Sequence, residues 1–153
     1  MKTNKEIFKE NLKLIEIETF SYCNRKCWFC PNSFVDRISD NKIMPEEVYL
    51  DLISQLREVD FSGELTYSRY NEPTAKRELF IKRIKQAREA LPKAILRTNT
   101  NGDYITRDYV EELCDAGFNQ LWIQQYLGNN ERYNHEKMRK RAQKKIKKLD
   151  LPA

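Results

Sequence analysis

The sequence predicts an α/β fold, a partial (β/α) barrel of parallel strands. Strand-type and helix-type hydrophobic patterns alternate along the 153 residues. The alternation recurs at about 30-residue intervals, the length a strand and its crossover helix require. Turn or polar residues follow every candidate strand, as expected where loops at strand C-termini carry chemistry.

The first strand is predicted over Leu14 to Phe20, where β-branched residues alternate with polar ones. A helix begins near Pro45-Glu46-Glu47, with proline and acids in its first turn and Val48, Leu52, Ile53 and Leu56 at helical spacing. The second strand is Glu64 to Tyr70, opened by Gly63 and closed by Asn71-Glu72-Pro73. The second helix runs from Arg77 to Leu91, where Pro92 stops it. The third strand covers Ala94 to Asn99 and ends at Asn101-Gly102. Thr106 is placed to cap a helix over Arg107 to Ala116, with Gly117 at its C′ position. The fourth strand is Gln120 to Tyr126, and a last helix spans His135 to Leu149.

About four βα units make half of a closed barrel, which needs at least about 200 residues. One domain over residues 1–153 is expected, with no internal linker and with residues 132–153 forming a basic C-terminal helix. The ending at Leu151-Pro152-Ala153, where a fifth strand is due, reads as truncation of something longer. A half barrel keeps two open sheet edges, which favours self-association.

Composition narrows the class. Hydrophobic residues are 40% and charged residues 33%, a globular mix with no membrane-spanning apolar run. Met1 to Glu6 lack the apolar core of a signal peptide, so a cytoplasmic protein is expected. The net charge of +5 is local: from Arg132 onward nine Lys/Arg face two acids, leaving −2 elsewhere. That argues against a general nucleic-acid surface and for a solvated basic helix, with Ile146 and Leu149, or Met138 and Ala142, on its inner side.

Three of the four cysteines lie within eight residues, as Cys23-Asn-Arg-Lys-Cys27-Trp-Phe-Cys30. Such a cluster closes too little chain to serve as a disulfide scaffold and reads as metal-binding or catalytic. Three thiolates on one loop can hold a 4Fe-4S cluster and leave one iron open. A zinc site completed by Cys114 or His135 is the alternative, but a second cysteine knuckle is absent. Cys114, beside Leu113 on a predicted helix, is expected to be a buried, inert thiol.

The Cys-x3-Cys-x2-Cys spacing, Phe29 before the third cysteine and the position after the first strand resemble the radical S-adenosylmethionine (SAM) enzymes. The resemblance implies that Cys23, Cys27 and Cys30 hold a 4Fe-4S cluster and that SAM chelates the open iron. An electron from the cluster then breaks a carbon–sulfur bond, and the 5′-deoxyadenosyl radical abstracts hydrogen from a substrate. Phe29 carries over as the aromatic near the adenine. Tyr70-Asn71-Glu72-Pro73 resembles the family's Gly-Gly-Glu-Pro segment, with Glu72 and Pro73 matching and two larger residues in the glycine positions. It implies a role for Glu72 at the SAM amino group. Thr100-Asn101-Gly102 resembles the family's Thr-Asn-Gly segment and implies polar contacts from Asn101. Gln124 stands where relatives contact the ribose. Arg139, with Arg132 left open beside it, is the candidate for the SAM carboxylate. A flavodoxin or ferredoxin is implied as electron donor, and a peptide or natural product as substrate class. The other reading is a non-catalytic, truncated iron–sulfur or zinc-binding module.

Overall fold

The computed structural model describes residues 1–39, 41–128 and 130–150. Its sheet has four parallel strands, β1 (Leu14–Glu16), β2 (Glu64–Thr66), β3 (Ile95–Thr100) and β4 (Gln120–Ile123). They lie side by side in sequence order. The helices are α1 (Asn4–Asn11), α2 (Glu46–Glu58), α3 (Arg77–Ala90), α4 (Arg107–Asp115) and α5 (His135–Leu149). The predicted α/β fold class stands, and Leu151 to Ala153 lie outside the described residues.

The period-2 pattern of the strands gives the sheet two unlike faces. One face carries Ile15, Leu65, Leu96 and Leu121, and it packs on Ile53 and Leu56 of α2, Phe80 and Ile84 of α3 and Leu113 of α4. The other presents Glu16, Glu64, Arg97, Asn99 and Trp122 in register. There Arg97 donates to Glu64 at 2.8 Å and stacks 4.5 Å over the Trp122 ring. A closed barrel fills that side with aliphatic layers; this half-sheet lines it with charge and hydrogen bonds.

Three ladders are shorter than predicted because the strands splay at their C-terminal ends. Single bonds continue past each, from Ile17 N to Thr66 O (2.9 Å), Tyr67 N to Arg97 O (3.1 Å) and Gln124 N to Thr100 O (2.7 Å). Phe20, expected inside the first strand, instead pairs antiparallel with Ile43, which closes the cysteine loop. Helix α1 has no buried residue and hence no apolar signal. Its sequence mark is a capping box, in which Thr3 and Glu6 bond each other's backbone.

Three side-chain expectations change. Cys114 is exposed, because Tyr109, Leu113 and Ala116 take the inward positions of α4 and its C-cap. Thr106 holds the N-cap position but its hydroxyl bonds the Asp108 carboxylate and caps no backbone amide. Ile146 is exposed, and the inner stripe of α5 runs through Met138, Ala142, Lys145 and the buried Leu149.

Gly117 ends α4 at φ 83°, as predicted for C′. Arg88 folds across it, donating to Gly117 O at 2.9 Å and Asn119 Oδ1 at 2.5 Å. A Cβ would meet Arg88 Cγ at 2.7 Å. Gly117→Ala is therefore expected to destabilise by about 1–3 kcal/mol, from strained φ plus displacement of Arg88. Urea unfolding measures it, and an unchanged midpoint would refute the assignment.

Candidate functional site

The loop after β1 folds back on itself and is held from three sides. Cys30 N donates to Cys27 O (2.9 Å), Ser33 Oγ to Cys30 O (2.8 Å), and a 3₁₀ turn follows over Pro31–Ser33. The segment after β2 joins it through Glu72 N to Tyr22 O (2.8 Å) and Asn32 Nδ2 to Tyr70 O (2.7 Å). The segment after β3 clamps it more firmly. Arg25 forks onto Asp103 at 2.8 and 2.5 Å, and Asn24 bridges Asp103 and Asn101, each at 2.9 Å. That fork holds the Asp103 carboxyl below the usual carboxylate range. Gly102, at φ 73°, makes the turn between Asn101 and Asp103.

The thiols of Cys23, Cys27 and Cys30 are free and half-buried, and all three line one cavity of about 280 Å³. Phe29, Glu72, Asn101 and Gln124 line the same cavity. Arg139 does not, because it points into solvent and pairs with Glu136. Burial pushes the Cys23 and Cys27 thiols up. Arg25 opposes that rise at Cys27.

Glu72 is 2% exposed and its carboxylate is occupied. Oε1 accepts from Thr74 N (3.2 Å), Thr74 Oγ1 (2.6 Å) and Thr100 Oγ1 (2.5 Å), and Oε2 from Asn101 N (2.7 Å). Its visible work is to tie the ends of β2 and β3 together beneath the cavity. Tyr70 and Asn71 need no glycine-like backbone, since neither has a positive φ. Their amides both donate to Glu18 Oε1, at 2.6 and 2.8 Å, while Arg37 holds Glu18 Oε2 at 2.9 Å. The Tyr70 ring lies 5.5 Å from both the Arg37 and Arg69 guanidinium carbons.

Sequence reasoning missed Glu18, Arg25, Asn32, Asp103 and Tyr126. Tyr126 walls the cavity 5.2 Å from the Phe29 ring. The available signals were a polar triplet inside the cysteine loop and an acid directly after Asn101-Gly102.

The donor set fits a polynuclear cluster. Among the described residues no three His, Cys, Asp or Glu side chains converge on a single metal-ion position. A 4Fe-4S cluster takes one thiolate per iron, and Cys23, Cys27 and Cys30 supply three to one cavity. Asn32 also lines the cavity, and its Oδ1 is buried without a hydrogen-bond partner among the described residues.

A parallel half barrel whose strand ends and first loop enclose one thiol-lined cavity defines a cofactor-binding α/β protein. The chain belongs to the Radical SAM superfamily, whose family model matches residues 17–149. It is 32% identical over 120 residues to an S-adenosyl-L-methionine-dependent 2-deoxy-scyllo-inosamine dehydrogenase of Niallia circulans. That match covers 78% of this chain and 47% of the relative. The crystal structure of BtrN in complex with AdoMet and 2-DOIA superposes with a TM-score of 0.69 at 29% identity, covering 90% of this chain and 55% of that one. An open conformation of selenomethionine BtrN gives 0.68 at 31%, covering 78% and 53%. The chain thus spans about half the length of the relatives it matches. Among the described residues no helix is long and apolar enough to cross a membrane.

Proposed function

We propose that this chain holds a 4Fe-4S cluster on Cys23, Cys27 and Cys30 and forms the cluster- and SAM-binding part of a radical SAM oxidoreductase. The observation that carries the reading is that these three thiols open into one cavity with Phe29, Glu72, Asn101 and Gln124. Each segment comes from the C-terminal end of a different parallel strand, the place where α/β folds put their chemistry. A bound cluster supplies the single electron that cleavage of SAM needs. The protein's own residues give up the thiol protons, with Arg25 favouring the thiolate at Cys27. Glu72 fixes the cavity floor, and the Phe29–Tyr126 pair forms one wall. The reductant is proposed to be a flavodoxin or ferredoxin, and the setting the cytoplasm.

From the relative we carry over the reaction class, oxidation that begins with hydrogen abstraction. The inosamine is not carried over, because an amine is protonated at neutral pH and would meet a cationic wall beside the cavity. The second reading is a non-catalytic iron–sulfur or zinc-binding module, in which Glu72 serves the fold alone because its carboxylate is already held by Thr74, Thr100 and Asn101.

Anaerobic reconstitution with iron and sulfide, reduction with dithionite and addition of SAM separate the two. 5′-Deoxyadenosine in excess of one equivalent per chain is the expected product. A brown protein that forms none supports the module, and a colourless protein with stoichiometric zinc ends both cluster readings.

A further inference from the structure

Beside the cysteine cavity, the segment after β4 and helix α5 line a second, open one of about 470 Å³. The two share Arg25, Gln124 and Tyr126. The remaining charged wall of the second cavity is Arg141, Lys144, Lys145 and Lys148, with Glu131 as its acid.

These cations are not equivalent. Arg25 is engaged by Asp103, and Arg141 by Glu131 at 2.8 Å. Lys137, Arg139 and Lys140, elsewhere on α5, pair with Glu131 or Glu136. Lys144, Lys145 and Lys148 pair with no carboxylate among the described residues. Lys144 and Lys148 are exposed and Lys145 is partly buried, and all three fall on one concave wall. Like charges one turn apart also disfavour the helix that carries them.

Lys145 is the informative member. It occupies the inner stripe of α5, one turn before the buried Leu149, and its Nζ donates to Asn101 O at 2.7 Å. It therefore stands at the junction of the two cavities. Partial burial and the nearby Arg25 both push its pKa down, and Asp103, already held by Arg25 and Asn24, opposes them. An ammonium placed so is stabilised by an oxyanion in the cavity.

We propose that this cavity binds the anionic group of the substrate, a phosphate or a carboxylate, and so presents the rest of that molecule to the cysteine cavity. That the ligand is a substrate rests on the radical SAM reading above; that the cavity binds an anion does not. SAM is a poor match for the wall, since its one carboxylate is outweighed by an ammonium and a sulfonium. A concave wall with a narrow supply of free cations also suits a small molecule better than a polynucleotide, which needs an extended basic track.

The test uses the full chain without cluster. Calorimetric titration with pyrophosphate and, separately, with citrate is expected to give saturable one-to-one binding for at least one of them. The preferred probe identifies phosphate or carboxylate as the group. Lys144→Gln/Lys148→Gln is expected to weaken it at least about tenfold. Lys5→Gln/Lys13→Gln, at the opposite end of the sheet, is expected to leave it unchanged. Lys145→Gln tests the inner position independently of the exposed pair. The proposal is overturned by absence of saturable binding, or by equal binding in the Lys144/Lys148 variant. It also falls if SAM displaces the probe stoichiometrically, or if a single-stranded oligonucleotide binds more tightly through the same lysines. Failure of cluster assembly leaves the anion-binding result intact, and failure of anion binding leaves the cluster assignment intact.

Discussion

Cys27→Ala is expected to yield a colourless protein with background iron and no 5′-deoxyadenosine after anaerobic reconstitution. Cys27 lies between Cys23 and Cys30 in sequence, and all three sulfurs line one cavity. The remaining cavity-lining side chains include no histidine or fourth cysteine to take over the lost iron. A 4Fe-4S cluster on three cysteines would already leave one iron without a protein thiolate, so loss of a second thiolate is expected to prevent assembly. Cys114→Ala is the control. Cys114 is exposed on α4 and does not line the cavity, so its removal is expected to leave iron content and product formation unchanged. Iron and sulfide assays on the two variants decide the matter. Full iron in Cys27→Ala, or loss of iron in Cys114→Ala, would remove the assignment.

Glu72→Ala is expected to cost more stability than any other single change at the site. The carboxylate is buried and accepts from two backbone amides and two hydroxyls. The Thr74 and Thr100 hydroxyls lie 3.1 Å apart and can pair with each other. The Thr74 and Asn101 amides have no such recourse. Two orphaned buried amides cost about 2–6 kcal/mol. In a chain of this size that is a fall of roughly 5–20 °C in Tm. Glu72→Gln keeps one accepting oxygen and loses about half as much. Differential scanning calorimetry of both variants measures the effect. A shift below about 2 °C for the alanine variant would show that the strand ends are held by something else. SAM binding should weaken in parallel, because Asn101 N loses its anchor.

Much of this architecture is legible in the sequence, for reasons that differ by element. The four βα units announce themselves because each helix buries one apolar stripe against the sheet, as Phe80, Ile84 and Ala87 do in α3. The points where strands leave the ladder are not legible. Ile17 and Tyr67 look like strand continuations, and only the turn of the neighbouring loop ends the pairing after them. Cys114 misleads because one residue separates a position facing the core from one facing water on a helix, and Leu113 holds the former. The cysteine loop is conspicuous because its residue types are rare and crowded. Its supports are not, because Glu18, Arg25 and Asp103 look like ordinary charged residues until the fold brings Glu18 to the amides of Tyr70 and Asn71, and Arg25 to Asp103. The basic helix is the instructive case. Its composition suggests one solvated face, while the placement of Lys145 on the inner stripe divides its cations into paired and unpaired sets.

The nearest-neighbour order of the sheet has a consequence for synthesis. Every strand pairs with the one made just before it, so no unit has to wait for a distant partner. The thiols and the groups that clamp their loop all fall between Glu18 and Asp103. A nascent chain can therefore complete the cysteine cradle before the basic helix that follows it in sequence is made. The basic helix follows the cradle in sequence and lines the cation-rich cavity beside it.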